Sequence, residues 1–108
     1  MYKRQGQISP LELADEYIWQ IERLNPHLRA LVDFDAERVR QQARALQDSG
    51  GPKGPLFGLP MTIKSSIATA GYRCELGTLL YRGNIPHEDA TAVHRLKQAC
   101  LLYTSRCV

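Results

Sequence analysis

The chain has 108 residues, 44% hydrophobic and 23% charged, with a formal net charge of +3 at pH 7. This length suits one small α/β domain near the lower limit for a self-sufficient core. Acidic residues are interleaved with the basic ones, which argues against a nucleic-acid-binding face. No apolar run approaches the ~20 residues of a transmembrane helix, and no apolar segment follows the polar residues 1–7 as it would in a signal peptide.

The chain has three cysteines, Cys74, Cys100 and Cys107, and no Cys-x-x-Cys spacing. An odd number without that spacing argues against a disulfide framework and against structural zinc. We therefore expect a cytoplasmic protein that needs no metal and no cofactor and interacts with neither nucleic acid nor membrane.

The first helix is marked at both ends. Ser9 and Glu12 predict a capping box around Pro10, and Asn25-Pro26 is expected to end the helix. Between these signals, apolar residues recur at three- and four-residue spacing and predict one buried face: Ala14, Tyr17, Ile18, Ile21 and Leu24.

Two further helices are predicted. One runs from about Asp35 to Gln47, and its apolar stripe contains Val39, Ala43 and Leu46. The other begins near Asp89, whose side chain is expected to cap it, and turns Val93 and Leu96 inward. Residues 69–86 between them are predicted to be irregular, with glycines at the turns. Alternating helix and strand predict a layered α/β protein.

A short apolar strand ends on Lys64. Strand alternation places Thr62 and Lys64 on one face and three apolar side chains on the other: Leu59, Met61 and Ile63. Burial of a lysine disfavours its ammonium and leaves an amine that can take a proton from a hydroxyl. The alternative is a solvated edge lysine that discourages strand pairing. The residues alone favour this alternative, because lysines are rarely buried.

The segment Gly54 to Lys64 resembles the stretch that opens the catalytic core of the amidase signature family. The family pattern is roughly Gly-Pro-Leu-x-Gly-(Ile/Leu)-Pro-x-x-(Val/Ile)-Lys. Upstream, Ile21 to Ala30 is similar to Arg-(Ile/Leu)-x-x-x-Asn-Pro-x-(Leu/Ile)-Asn-Ala, with Arg29 in place of Asn. Downstream, Asp89 to Leu96 is similar to Asp-Ala-x-x-Val-x-Arg-Leu. Together these motifs cover about residues 8 to 99.

The resemblance implies the N-terminal part of the amidase signature fold over residues 1–99, with helices packed on a central mixed sheet. It implies an enzyme that hydrolyses the carbon-nitrogen bond of a small-molecule carboxamide through a Ser–cis-Ser–Lys triad. Lys64 matches the catalytic lysine. Both serines and the oxyanion hole are expected beyond this chain, so the 108 residues alone should be inactive. Many family members carry Asp-Asn where this chain has Ser65-Ser66, which leaves the amide substrate open.

Two alternatives remain open. The A subunit of a tRNA-dependent glutamyl/aspartyl amidotransferase shares the same core motifs. A non-enzymatic helical binding module is an alternative from another class. The resemblance also leaves open a homodimer of the full-length protein.

Other side chains receive little support as catalytic groups. Strand alternation places Ser65 away from Lys64, and Cys74 has no recognisable histidine partner. The three histidines are interpreted as surface or helix-end residues: His27, His87 and His94.

Residues 100–108 depart from the family pattern, in which a glycine and a second buried strand follow the third helix. The sequence Cys-Leu-Leu-Tyr-Thr-Ser is also what one reading frame of a common transposon-end sequencing adapter encodes. We therefore predict that residues 100–108 are a non-native tail; the alternative is a genuine short strand. Without a genuine strand at residues 100–108, the Lys64 strand would have no partner. The isolated chain is then expected to be aggregation-prone or partly ordered.

Overall fold

A computed structural model describes residues 8–50 and 54–99, and the backbone of residues 102–107. The predictions for residues 1–7, for the middle of the Gly-Pro loop and for Cys100 lie outside the described residues. In chain order, the elements are α1 (Pro10–Leu28), α2 (Ala36–Asp48), β1 (Pro60–Lys64), a 3₁₀ turn (Leu79–Tyr81), α3 (Thr91–Gln98) and β2 (Leu102–Cys107). The predicted α/β class is confirmed.

The start of α1 follows the sequence signal. The Ser9 hydroxyl accepts from the Glu12 N–H at 3.2 Å, and the Glu12 carboxylate accepts from the Ser9 N–H at 2.8 Å. The predicted end is wrong, because α1 continues through Pro26 to Leu28. Proline removes one N–H and disfavours a helical residue before it, but here only His27 and Leu28 follow it in the helix, so its cost is confined to the last turn.

Asn25 compensates for this proline. Its carbonyl accepts from the Arg29 N–H at 2.7 Å, and Arg29 takes the left-handed conformation (φ 50°) that ends the helix. Its side chain donates to the Leu31 carbonyl and accepts from the Leu31 N–H, both at 2.9 Å. The side chain therefore fixes the turn by which the chain leaves α1.

The α1–α2 core agrees with the predicted α2 stripe but only in part with the predicted face of α1. Ala14 and Ile18 are buried, Ile21 is half-buried, and Tyr17 and Leu24 are 46% and 42% exposed. Helix α2 begins one residue after the predicted start, and the Asp35 carboxylate caps it by accepting from the Arg38 N–H at 3.1 Å. Four side chains are fully buried between the two helices: Ala14, Ile18, Val39 and Ala43. Leu46 and Phe34 pack against them.

The two strands form a parallel sheet, with Pro60 opposite Leu102 and Lys64 opposite Cys107. The register shifts once, between Met61 and Thr62. The expectation of an unpaired β1 is therefore wrong. Parallel pairing is made by the backbone, so it occurs with many sequences and does not distinguish a native strand from a non-native one.

Residues 69–86 are irregular, as predicted, with turns at glycines in the left-handed region. Cys74 and Asn84 close this segment, because the Cys74 N–H donates to the Asn84 carbonyl at 2.8 Å and the Asn84 side chain returns a bond at 3.0 Å. At its tip, the 3₁₀ turn exposes Leu79 by 83% and Leu80 by 92%. No helix in the described ranges is both long and apolar enough to cross a membrane.

Candidate active site at the end of β1

Lys64 is the last residue of β1. Its side chain lies on the exposed face with Thr62, while Ile63 is buried on the opposite face and Met61 is half-buried there. The predicted strand end is confirmed, and so is the separation of faces for Met61 and Ile63. Leu59 was also predicted on the inner face, but it precedes β1 and is 41% exposed. Lys64 is exposed, and among the residues that the structure describes its ammonium has no hydrogen-bond or ion-pair partner. The described part of the chain therefore does not bury this lysine.

The chain turns immediately after Lys64. The Ile67 N–H donates to the Lys64 carbonyl at 3.0 Å, and Ser65 and Ser66 form the turn between them. Strand alternation therefore stops at Lys64, and the predicted placement of Ser65 by alternation does not apply. Ser65 is half-buried and Ser66 exposed.

A small apolar cluster lies behind Lys64. Ile63, Tyr72 and Val93 are buried together, with Met61 and Ala90 packed against them. The predicted inward position of Val93 is confirmed, and Leu96 is half-buried. This cluster holds the inner face of β1 against α3, so the outer face of β1 has a defined direction.

Tyr72 joins this cluster to α2. The Arg38 guanidinium lies 3.9 Å from the centre of the Tyr72 ring, and Gln42 donates to the phenol oxygen at 3.4 Å. Burial raises the pKa of the Tyr72 phenol, and the Arg38 charge opposes this only in part. The strand with Lys64 and the α1–α2 pair are thus connected through one aromatic side chain.

Asp89 does not cap α3, in contrast to the prediction. The N-cap residue is Ala90, and the cap has no side-chain hydrogen bond. The Asp89 carboxylate instead accepts from the Ala70 N–H at 2.8 Å and from the Lys97 ammonium at 2.7 Å. A carboxylate can accept from several donors, and here these two donors occupy it in place of the helix end. Sequence reasoning placed Asp89 correctly at the start of α3 but missed both partners.

The Gly54 motif delivers the chain into β1 through two turns. The Phe57 N–H donates to the Gly54 carbonyl and the Leu59 N–H to the Leu56 carbonyl, both at 3.0 Å. A Cβ on Gly54 would stand 2.9 Å from the carbonyl oxygen of Ala99, at the end of α3. Glycine is needed at this position because two backbone segments approach closely.

The other candidate side chains are not brought to Lys64. Cys74 is a buried free thiol in the irregular segment. His94 contacts Gln98 one turn further along α3, at 3.0 Å. Within residues 8–50 and 54–99, no group of three metal-binding side chains occurs. The described residues therefore position one candidate catalytic group, Lys64.

The sequence model of the family described as Amidase matches residues 12–106. The chain belongs to the amidase signature family. It is 38% identical over 96 residues to the A subunit of the glutamyl-tRNA(Gln) amidotransferase of Roseiflexus sp. (strain RS-1), covering 87% of this chain and 20% of that protein. It is 35% identical over 102 residues to an acylamidase of Rhodococcus erythropolis, covering 92% and 21%.

The fold agrees with this membership. The crystal structure of native peptide amidase from Stenotrophomonas maltophilia superposes with a TM-score of 0.85 at 26% identity, covering 98% of this chain and 23% of that one. The chain thus spans about a fifth of the length of the curated relatives that it matches. The predicted amidase signature fold is confirmed for this portion.

Proposed function

We propose that these residues form the N-terminal part of an amidase that hydrolyses a carboxamide C–N bond, with Lys64 as its general base. The observation that carries the proposal is the position of Lys64, at the end of a strand whose opposite face is buried, in a chain that the family matches over residues 12–106. The enzyme would act in the cytoplasm on a small-molecule amide and would need neither metal nor cofactor.

In the proposed reaction, a serine oxygen attacks the carbonyl carbon, and its proton passes through a bridging serine to the Lys64 amine. The lysine ammonium returns this proton through the same serine to the departing nitrogen as the C–N bond breaks. Water then releases the acyl group from the serine by the reverse path. The two serines and the donors for the oxyanion belong to the rest of the proposed enzyme, so residues 1–108 alone would be inactive.

A second candidate is the A subunit of a glutamyl-tRNA(Gln) amidotransferase. Its specific support is the 38% identity to one such protein, compared with 35% to the acylamidase. In this candidate Lys64 has the same role in releasing ammonia from an amide donor. The acceptor is the side-chain carboxylate of glutamyl-tRNA(Gln), which would first be activated by a nucleoside triphosphate so that ammonia displaces a phosphate. The non-enzymatic binding module loses support, because the family match extends over most of the chain.

The test is Lys64→Ala in the full-length protein, assayed for ammonia or amine release from a panel of aliphatic and aryl amides and glutamine. Loss of a general base lowers the rate by about 10²–10⁴-fold, and more where the nucleophile depends on it. Substrate binding should change little. The thermal midpoint of Lys64→Ala should be measured alongside, so that a loss of rate is separated from a loss of folding.

Arg44→Ala is the matched control, since it removes another exposed cation, on α2. Wild-type turnover in Lys64→Ala would refute the assignment of the base. Release of ammonia from glutamine without hydrolysis of the other amides would favour the amidotransferase over a free-standing amidase.

A further inference from the structure

The segment that follows Lys64 is joined to the beginning of α3 by two hydrogen bonds. The Ala90 N–H donates to the Ala68 carbonyl at 2.9 Å, and the Ala70 N–H donates to the Asp89 carboxylate at 2.8 Å. Thr69, between these two positions, is fully buried, and its hydroxyl donates to the Ile67 carbonyl at 3.4 Å. The exit of the Lys64 turn is therefore fixed to a helix that lies 19 or more residues further along the chain.

Asp89 is the charged residue in this connection between residues 68–70 and the beginning of α3. Its side chain is only 13% exposed, and the Lys97 ammonium contacts both of its oxygens, at 2.9 and 2.7 Å. Burial alone would raise the pKa of Asp89, but the hydrogen bonds from Lys97 and Ala70 outweigh it and lower the pKa below its ordinary value. The ionised carboxylate strengthens the bond from the Ala70 N–H, because an ionised acceptor forms a stronger hydrogen bond than a neutral one.

Lys64 needs such external support. Its side chain has a flexible four-carbon stem and no polar partner among the described residues, so within this part of the enzyme only the backbone on either side sets its direction. The buried contact between Ile63 and Val93 fixes the backbone before Lys64. After Lys64, a three-residue turn leads into the segment that Asp89 holds.

We propose that Asp89 is a positioning residue for Lys64: by holding the Ala70 N–H, it fixes the turn from which the lysine projects. This inference rests on the proposed role of Lys64 as general base. Asp89 touches neither substrate nor the reacting atoms, and it acts through the backbone of residues 65–70. A misplacement of about 1 Å at a reacting group can lower a rate by about a hundredfold.

The experiment compares four variants of the full-length enzyme. Asp89→Ala removes the acceptor, and kcat should fall about tenfold to a hundredfold with KM within about twofold. Asp89→Asn keeps an oxygen for the Ala70 N–H and should recover most of kcat. Lys97→Ala removes the ion pair but not the Ala70 bond, and kcat should stay within about twofold of wild type, since an ion pair with a 40% exposed lysine contributes little.

Val39→Ala is the stability control, because Val39 is buried in the α1–α2 core away from Lys64. It should lower the thermal midpoint without lowering kcat. Hydrogen exchange at residues 65–70 provides a second measurement: exchange should rise in Asp89→Ala and remain near wild type in Asp89→Asn and in Val39→Ala.

The inference is overturned if kcat of Asp89→Ala falls no further than that of Val39→Ala. It is equally overturned if Asp89→Asn and Lys97→Ala are both as poor as Asp89→Ala, because charge and not the Ala70 bond would then matter. Should Asp89→Ala fail to fold, Asp89→Ser replaces it, because its shorter side chain also loses the carboxylate that accepts from the Ala70 N–H; wild-type kcat in Asp89→Ser, with faster exchange at Ala70, would overturn the inference. An inactive Lys64→Ala together with a fully active Asp89→Ala would refute this inference alone, whereas an active Lys64→Ala would refute the proposed function itself.

Discussion

Asn25→Ala should open the turn that follows α1. The substitution removes the bond from the Asn25 amide to the Leu31 carbonyl and the bond from the Leu31 N–H to the Asn25 oxygen, both 2.9 Å long and partly buried. A protein hydrogen bond contributes about 0.5–1.5 kcal/mol net, so the loss should be about 1–3 kcal/mol. Pro26 makes the end of α1 depend more strongly on these two hydrogen bonds, because a proline disfavours the helical conformation of the residue before it.

Hydrogen exchange at the Leu31 amide measures this local opening directly. Because 1.36 kcal/mol changes an equilibrium constant tenfold, protection of the Leu31 amide against exchange should fall about fivefold to 150-fold in Asn25→Ala. Asn25→Asp keeps an acceptor for the Leu31 N–H and loses only the donor, so its protection should lie between those of Asn25→Ala and wild type. Gln20→Ala is the control on the same helix, since its bond to Glu16 is exposed. Unchanged protection in Asn25→Ala would refute the reasoning.

Gly54→Ala should cost about 1–3 kcal/mol, because its Cβ would stand 2.9 Å from the carbonyl oxygen of Ala99; a thermal midpoint equal to wild type would show that the backbone shifts freely. The lowered pKa of Asp89 means that its contribution to stability is complete above about pH 3.9 and is lost as the pH falls through the folded-state value. In acid unfolding followed by circular dichroism, Asp89→Asn should therefore lose less stability between neutral pH and pH 3 than wild type does. Identical acid-unfolding profiles of the two proteins would contradict this. The isolated 108-residue chain should aggregate or remain partly ordered, because its described part leaves large apolar side chains exposed, among them Leu28 at 68%, Leu79 at 83% and Leu80 at 92%. A cooperative thermal transition of a monomer in sedimentation would disprove this. We also propose that residues 100–108 are not native, so that resequencing unamplified DNA should give a different continuation after residue 99; an in-frame stop after codon 108 in clean reads would refute it.

Short-range signals made much of this fold predictable from the sequence. The Ser9–Glu12 box and the Asp35 cap are satisfied within three residues along the chain, and both are present at the expected helix starts. Strand alternation likewise predicted the two faces of β1, because side-chain direction in a strand depends only on position. The family motif ending at Lys64 added the candidate base, which periodicity alone could not identify.

Errors occurred where distant partners compete with local ones. Asp89 lies where a helix cap is expected, but its carboxylate binds Ala70, 19 residues earlier, and Lys97, eight residues later. Pro26 signals a helix end, but the hydrogen bonds between Asn25 and a residue six positions away sustain the helix for another half turn. The pairing of β1 with β2 was also not predicted. Backbone groups from distant parts of the chain make this pairing, so a local sequence pattern does not identify the partner strand.

Lys64 is exposed although its neighbours are buried, because the contacts that hold β1 lie on the other face of the strand and after its end. Ile63, Tyr72 and Val93 hold the inner face of β1, and the hydrogen bond from the Ala70 N–H to Asp89 holds the chain immediately after the strand. None of these contacts lies on the face that Lys64 shares with Thr62, which is exposed. A general base works best when its proton affinity is matched to the operating pH, and for a lysine this requires desolvation or a neighbouring charge. These residues therefore determine where the Lys64 amine stands, and the groups that contact its exposed face would belong to the rest of the proposed enzyme.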